Sequence, residues 1–280
     1  MILILCNYLD VQQGVKKLLH TQHNQEQEAI LNWLTPTDYA AQQSDFIVRR
    51  QEGTGQWLLD SDEFKTWLET DKQTLFCPGI PGAGKTILTS VVVEELTARF
   101  YKDKNIGIAY LYCNFRRENE QTIDNLLAGI LKQLANSQPS LPGPAKDLYD
   151  RYQNKRTQLS PEKLLRALQA VAALYSRVFI IIDALDECQA NSRKALLSWI
   201  FSLQAKCIIN IFATSRFIPE IISTFQGSIS LEIRASKGDI ERYLEVHMKQ
   251  LLPFDDWDRE LQDEIKAEIS DAVNGMYVAR

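Results

Sequence analysis

The sequence predicts an α/β fold in which helices flank a doubly wound, five-stranded parallel sheet. Val178–Ile182 is a continuous apolar run and Cys207–Ala213 is similar, which is typical of central parallel strands that are buried on both faces. Amphipathic helical patterns lie between these runs and three other candidate strands. Strands that alternate with helices along a chain favour a parallel sheet built from β-α-β units.

The elements can be placed in order along the chain. Residues 1–35 have a polar, helical pattern that ends at Pro36, and we expect a loop from there to about Gly55. A short helix follows, whose apolar side recurs at Phe64, Trp67 and Leu68. The expected strands are Thr74–Cys77, Ile108–Phe115, Val178–Ile182, Cys207–Ala213 and Ile229–Ile233.

The helices between the strands show the same regularity. The helix after the first strand and the helix after the second have apolar positions at helical spacing. Clustered prolines predict a loop at Pro139–Pro144, whereas Ser160 and Pro161 are typical of a helix start. After Ser236 the pattern is entirely helical. We therefore expect a helical lead-in (1–71), a sheet-containing core (72–235) and the start of a helical lid (236–280).

Composition excludes several classes of protein. The 280 residues are 45% hydrophobic and carry a net charge of −5, so no overall basic charge favours nucleic acid or an anionic membrane. The five cysteines form no CxxC pair, which argues against a disulfide framework or a zinc site. No apolar run approaches the roughly 18 residues that a membrane helix needs. We expect a cytoplasmic protein with no membrane span and no nucleic-acid partner.

A glycine-rich motif lies between the first expected strand and the helix after it. Its residues are Gly79, Ile80, Pro81, Gly82, Ala83, Gly84, Lys85 and Thr86, which match GxxxxGK[ST] throughout. Glycines let backbone N–H groups approach phosphate oxygens closely, and the helix N-terminus adds its positive end. Lys85 supplies a charge for the β- and γ-phosphates, and the Thr86 hydroxyl can bind Mg²⁺. The motif predicts a P-loop that binds a nucleoside triphosphate with Mg²⁺.

Carboxylates follow the third expected strand, as a metal-dependent P-loop site requires. Asp183 ends the apolar run, at the carboxyl edge of the sheet where ligands bind in this architecture, and is expected to hold Mg²⁺. Asp186 or Glu187 could accept a proton from the attacking water or orient it. The alternative is that both are ordinary acidic residues at a helix N-terminus.

A cation follows the fourth expected strand in the segment Thr214–Arg216. Arg216 offers a fixed charge that suits phosphate oxygens and could sense the γ-phosphate. Spacing alone leaves open that Arg216 is a surface residue in a loop between a strand and a helix.

Several segments, in this order, resemble fungal NACHT-type proteins, which are STAND signalling NTPases with a nephrocystin-like N-terminal domain. The resemblance covers residues 24–280 approximately. The segments that carry it are Thr54–Leu59, Glu63–Leu68, Gly79–Thr86, Tyr112–Phe115, Asp183–Cys188, Thr214–Arg216 and Asn274–Met276.

The resemblance implies the strand order 2-3-4-1-5, which places the Arg216 strand between the P-loop strand and the Asp183 strand. It also implies a switch that is closed and monomeric with ADP and open to oligomerisation with ATP. Members of the family commonly continue into a winged helix and ankyrin or WD repeats, whereas this sequence ends at Arg280. We therefore expect a shortened chain that exposes an apolar helical face at Ile265, Ile269 and Val273 and self-associates or binds a signalling partner.

The favoured function is an ATP-binding, or GTP-binding, switch with slow Mg²⁺-dependent hydrolysis and ATP or ADP as ligand. One alternative is a scaffold that binds nucleotide without hydrolysing it. Another is a P-loop kinase, for which Arg116 and Arg117 are the only candidate lid residues and lie too early in the chain.

Overall fold

The structure, a computed structural model, describes residues 21–153, 159–248 and 258–272. Its centre is a five-stranded parallel sheet in the order β2-β3-β4-β1-β5, so the predicted fold class and strand order are both confirmed. The strands are β1 (Thr74–Pro78), β2 (Ile106–Tyr112), β3 (Arg177–Asp183), β4 (Ile209–Ser215) and β5 (Ile229–Ser230).

Helices connect the strands and cover both faces of the sheet. They comprise α1 (21–34), α2 (Tyr39–Val48), α3 (Gln56–Asp60), α4 (Asp62–Glu69), α5 (Lys85–Arg99), α6 (Ile123–Ser137), α7 (Gly143–Tyr152), α8 (Pro161–Ala172), α9 (Ala190–Lys206), α10 (Pro219–Thr224), α11 (Lys237–Met248) and α12 (Arg259–Ala272). Two 3₁₀ turns, Phe115–Glu120 and Leu185–Glu187, follow β2 and β3.

Each face of the sheet has its own apolar core. On one face α1, α2 and α6 to α10 pack on alternate strand residues such as Ile180 and Ile211. On the other face α3, α4 and α5 pack on residues such as Phe179 and Phe212, with Trp67 against both rings. β3 and β4 are almost entirely buried and mainly apolar between their ends, because side chains of alternate residues enter both cores.

Two helices limit the loops that the sequence predicted. The prediction of a loop from Pro36 to about Gly55 was wrong where α2 lies, whereas the loop at Pro139–Pro144 is confirmed as far as Pro142, and α7 begins at Gly143. In α2, the Asp38 side chain accepts the Ala40 N–H at 2.9 Å and caps the helix, while Tyr39 and Gln43 are buried. In α7, proline residues lie at the N-cap and in the first turn, where their missing N–H groups cost nothing. The proline cluster therefore covers both the end of this loop and the start of α7.

The two edge strands, β2 and β5, end earlier than predicted. β2 ends at Tyr112 rather than Phe115, because the Asn114 side chain accepts the Arg116 N–H at 2.9 Å and begins a 3₁₀ turn. β5 is only two residues long, and Ile233 instead forms an isolated bridge with Gly79. Both differences arise at the edges of the sheet, where fewer strand hydrogen bonds extend the pairing.

The helical segment after β5 is packed more closely than expected. Ile269 of α12 is half-buried and packs against the cluster formed by Ala235 and Ile240, so the prediction that its apolar face is exposed was wrong there. Ile265 is also half-buried. Val273, the third residue of that face, lies outside the described residues. Among the residues that the structure describes, no helix combines the length and the apolar character needed to cross a membrane.

A buried amide anchors the start of β4 to the chain before β1. Asn210 is fully buried, and its Nδ2 donates to the Trp67 and Thr70 carbonyls at 2.5 and 2.7 Å. Its Oδ1 accepts the Lys72 N–H at 2.9 Å. One side chain therefore satisfies three backbone groups that water cannot reach easily.

We expect Asn210→Ala to lower the free energy of unfolding by about 3 kcal/mol, because it leaves buried backbone groups without partners. Urea unfolding followed by circular dichroism measures this loss. The matched control is Asn105→Ala at an exposed position, for which a change within about 0.5 kcal/mol is expected. Equal losses in the two variants would contradict the anchoring role of Asn210.

Candidate functional site

The glycine-rich segment 79–84 joins β1 to α5, as the sequence motif predicted. Gly84 has φ 85°, a left-handed conformation, and the N-terminus of α5 has no side-chain cap. A side chain at Gly79 would place Cβ 2.6 Å from the Ile233 carbonyl oxygen, which explains why glycine is needed there. The uncapped N–H groups of the first turn of α5 fit an anionic ligand.

Lys85 is half-buried at the start of α5. Its Nζ donates to the carbonyl oxygens of Gly79 and Ile80 at 2.9 and 2.8 Å, so the ammonium group is bonded back to the start of the glycine-rich loop. Burial lowers the pKa of Lys85, and the carboxylates of Asp186 and Asp183 oppose that effect. The ammonium group must exchange these carbonyls for phosphate oxygens if it is to bind a nucleotide.

Asp183, at the end of β3, is buried and surrounded by hydroxyl groups. Its Oδ2 accepts from Thr86 Oγ1 at 2.7 Å, and its Oδ1 accepts from Thr89 and Thr214 Oγ1 at 2.9 and 2.7 Å. Burial raises the pKa of Asp183, and these three hydrogen bonds together with the charge of Lys85 oppose the rise. The structure therefore brings together the two residues predicted to bind metal, Thr86 and Asp183.

The other predicted site residues follow β3 and its neighbour β4. Asp186 accepts the backbone N–H of Arg216 at 2.9 Å and pairs with its guanidinium Nε. Burial alone would raise the pKa of Asp186, but the hydrogen bonds and charge of Arg216 lower it. Glu187 Oε2 accepts the Phe115 N–H at 3.2 Å, and burial raises the pKa of Glu187.

One cavity of about 600 Å³ connects these groups. Lys85, Thr86, Asp186, Glu187 and Arg216 all contribute to its wall. Further lining residues received no site role in the sequence analysis, among them Arg49, Gln51, Thr54 and Tyr243. These four come from the segment between α2 and α3 and from α11, and only Thr54 lay in a segment that the sequence analysis had singled out, without a role at the site. Only the tertiary fold brings them to the P-loop.

The donor set fits a hard cation such as Mg²⁺. The Thr86 hydroxyl and the Asp183 carboxylate provide adjacent oxygen atoms, and Mg²⁺ commonly completes its shell with water and phosphate oxygens. The described residues contain no separate group of three or more His, Cys, Asp or Glu side chains that could hold a metal. A metal here would therefore depend on the nucleotide for part of its coordination.

Comparison with known proteins now identifies the family. Residues 53–216, more than half of the chain, match the family described as Nephrocystin 3, N-terminal. The chain belongs to this family. The match begins at the turn before α3 and ends at Arg216. The part of the chain that matches the nephrocystin 3 N-terminal family therefore includes every predicted site residue.

One curated relative agrees with the fungal NACHT-type resemblance. Vegetative incompatibility protein HET-E-1 of Podospora anserina is 23% identical over 236 residues, which are 79% of this chain and 17% of that protein. The chain thus spans less than a fifth of that relative's length. The similarity supports a NACHT-like family and a nucleotide-binding NTPase.

Solved structures show more distant similarity. The Aeropyrum pernix ORC1 protein in complex with DNA is 16% identical, with 72% of this chain and 50% of that chain covered and a TM-score of 0.47. The Walker-type ATPase PABY2304 of Pyrococcus abyssi is 15% identical, with 83% and 68% covered and a TM-score of 0.47. These values are too low to transfer a function from either structure.

Proposed function

We propose that this protein is a nucleotide switch of the NACHT and STAND class that binds ATP, or GTP, with Mg²⁺ and hydrolyses it slowly. One observation carries the proposal: the Thr86 hydroxyl of the P-loop helix donates to the Asp183 carboxylate at 2.7 Å beside the cavity that Lys85 lines. That pair joins the phosphate-binding segment to the carboxyl edge of the sheet.

The binding roles follow from charge and position. The backbone N–H groups of residues 79–86 and the Lys85 ammonium would bind the β- and γ-phosphates. Thr86 and Asp183 would hold Mg²⁺, which supplies positive charge to the phosphate oxygens when it is bound. Magnesium would replace the hydrogen bond that now joins these two residues.

The residues beyond Asp183 have different capacities in hydrolysis. Asp186 is already paired with Arg216, and its lowered pKa makes it a weak proton acceptor. Glu187 has a raised pKa, and among the described residues its carboxylate accepts a hydrogen bond from the Phe115 backbone N–H. It is therefore the better candidate to orient water or accept its proton. Arg216 would sense the γ-phosphate by exchanging Asp186 for phosphate oxygens.

The family resemblance supports the signalling part of the proposal. In this class nucleotide state controls self-association or the binding of a signalling partner, and we propose the same output here, in the cytoplasm and without a nucleic-acid partner. We also propose that this switch works together with ankyrin or other repeats, as in the family that the sequence resembles. The chain matches only 17% of its curated relative, so the similarity does not extend to the rest of that protein.

A scaffold that binds nucleotide without hydrolysis is the second candidate. The ion pair of Asp186 with Arg216 favours it, because neither group is then available to the γ-phosphate. A P-loop kinase has less support, since Arg117 is paired with Glu120 on the 3₁₀ turn after β2. A single-turnover assay of nucleotide hydrolysis by the purified protein separates the switch from the scaffold.

The same assay tests the assignment of Glu187. We expect Glu187→Gln to slow single-turnover hydrolysis by about 100-fold with nearly unchanged nucleotide affinity, which is typical of losing a positioned base. Asp186→Asn should slow it less. The control is Glu118→Gln, which makes the same change of carboxylate to carboxamide at an exposed residue of the 3₁₀ turn Phe115–Glu120. If Glu187→Gln keeps the wild-type rate and Asp186→Asn does not, the role belongs to Asp186.

A further inference from the structure

A tight turn, Gly53–Gly55, lies between α2 and α3. Arg50 Nε and Nη2 donate to the Thr54 carbonyl at 2.8 and 2.5 Å, and Thr54 Oγ1 donates to the Gln51 carbonyl at 2.7 Å. Gly53 and Gly55 have φ values of 78° and 79°, in the left-handed region that favours glycine. These bonds fix the shape of the turn.

The turn is pressed against the P-loop helix. A Cβ atom added to Gly55 would come within 2.6 Å of Leu88 Cδ2, on the first turns of α5. The buried Thr54 also lines the cavity that Lys85 and Thr86 enter. A group that holds this turn in place therefore acts directly beside the nucleotide site.

Helix α11 holds the turn through two side chains. Asp239 is buried, and its Oδ2 accepts the Gly55 N–H at 2.9 Å. Arg242 Nη1 donates to the Gly53 carbonyl at 2.5 Å and lies 3.9 Å from Asp239 Oδ1. Ser236 Oγ accepts the Asp239 N–H at 3.1 Å, which orders the first turn of α11. Both ends of the turn are thus bonded to one helix.

The next residue of α11 reaches the cavity. Tyr243 lines it, and the Tyr243 ring stacks on His247 with ring centroids 3.9 Å apart and an interplanar angle of 17°. His247 Nδ1 also lies 3.0 Å from the Tyr243 carbonyl oxygen. Thr54 and Tyr243 thus both form part of the cavity wall, and Asp239 and Arg242 join the segments that carry them.

We propose that Asp239 and Arg242 form a latch that retains bound nucleotide by holding α11, and with it Tyr243, against the Gly53–Gly55 turn. The latch rests on the proposed nucleotide-binding function and adds a positioning role for two residues outside the P-loop. A nucleotide that contacts both sides of the latch stabilises the closed arrangement, and by thermodynamic reciprocity the closed arrangement holds the nucleotide more tightly.

The test measures release of a fluorescent ADP analogue from the intact chain. Asp239→Ala should increase the dissociation rate about tenfold, because the buried Gly55 N–H loses a charged acceptor. The matched control is Glu241→Ala, which removes the same charge from an exposed position two residues along α11 and should leave the rate unchanged. Asp239→Asn keeps an acceptor oxygen and should restore most of the retention.

A second variant and a second measurement separate the latch from general stability. Arg242→Ala removes a side chain that is 57% exposed, so the fold should persist while release accelerates several-fold. Hydrogen exchange of the Gly55 amide should become faster in both latch variants, and bound ADP should slow it in the wild type only. Circular dichroism confirms that each variant is folded.

The outcomes distinguish the latch from the function on which it rests. Wild-type retention of nucleotide with unchanged release from folded Asp239→Ala and Arg242→Ala variants would overturn the latch and leave the proposed function standing. A wild-type protein that retains no nucleotide would overturn the proposed function and the latch together. Equal acceleration by Glu241→Ala would assign the effect to the charge of α11 and also overturn the latch.

Discussion

Replacing Lys85 by alanine should reduce the affinity for nucleoside triphosphate by about 100-fold or more, because charge-assisted bonds to phosphate are the strongest contacts this site can offer. The fold should survive. Among the described residues, the ammonium group donates hydrogen bonds to the carbonyl oxygens of Gly79 and Ile80, and its burial disfavours the charged form. The loss should therefore appear in binding rather than in unfolding.

Titration with a fluorescent ATP analogue and Mg²⁺ measures the effect of Lys85→Ala. Lys102→Ala is a suitable control, since Lys102 is exposed just after the C-terminus of α5 and lies outside the cavity lining. Unchanged affinity in Lys85→Ala would remove the basis for the P-loop assignment. A comparable loss in Lys102→Ala would point to a general electrostatic effect instead.

The parts of the fold that the sequence predicted correctly are those that local patterns determine. Gly84 and Lys85 were recognisable because a phosphate-binding turn constrains backbone conformation within one short segment. The strand before Asp183 was recognisable because a strand buried on both faces must be apolar throughout. The strand order came from the family resemblance, since no local pattern specifies which parallel strands are neighbours.

The predictions that failed concern interactions between distant segments. The helix α2 has only two buried residues, so its sequence shows too little apolar periodicity to predict it. Tyr243 and Thr54 could not be assigned to the site because only the tertiary packing of α11 and of the Gly53–Gly55 turn places them in the cavity wall. Ile269 was expected to be exposed because its partners, such as Ile240, lie in another helix.

The hydroxyl groups around Asp183 could not be predicted from the sequence either, because they also come from distant segments. Thr214 was noted only as the start of the segment that contains Arg216, and Thr89 received no role. In the structure both hydroxyls lie within 2.9 Å of Asp183 Oδ1, one from β4 and one from α5. Thr214 reaches Asp183 because of the register between β3 and β4, and Thr89 reaches it because it lies one helical turn after Thr86 in α5. A short sequence motif cannot encode this arrangement.

This arrangement predicts that Asp183→Asn separates metal binding from folding. Asparagine has nearly the same shape, and its Oδ1 can still accept from Thr89 and Thr214, while its Nδ2 can donate to the Thr86 hydroxyl after that group rotates. Removing a buried charge also removes its desolvation cost, which is the main cause of the raised pKa of Asp183. The free energy of unfolding should therefore stay within about 1 kcal/mol of the wild-type value.

Binding should change far more than stability in Asp183→Asn. A neutral amide cannot replace a carboxylate near Mg²⁺, so the increase in nucleotide affinity that Mg²⁺ produces should disappear and single-turnover hydrolysis should fall by about 100-fold or more. Titrations with Mg²⁺ and with a chelator measure the two affinities, and Thr89→Val serves as the control that removes one hydrogen bond to Asp183 but leaves its charge. Affinity measured in chelator should match the wild type, because Lys85 and the P-loop backbone remain. A variant that keeps its full response to Mg²⁺ would show that the metal is held elsewhere in the cavity and that Asp183 serves only to join α5, β3 and β4.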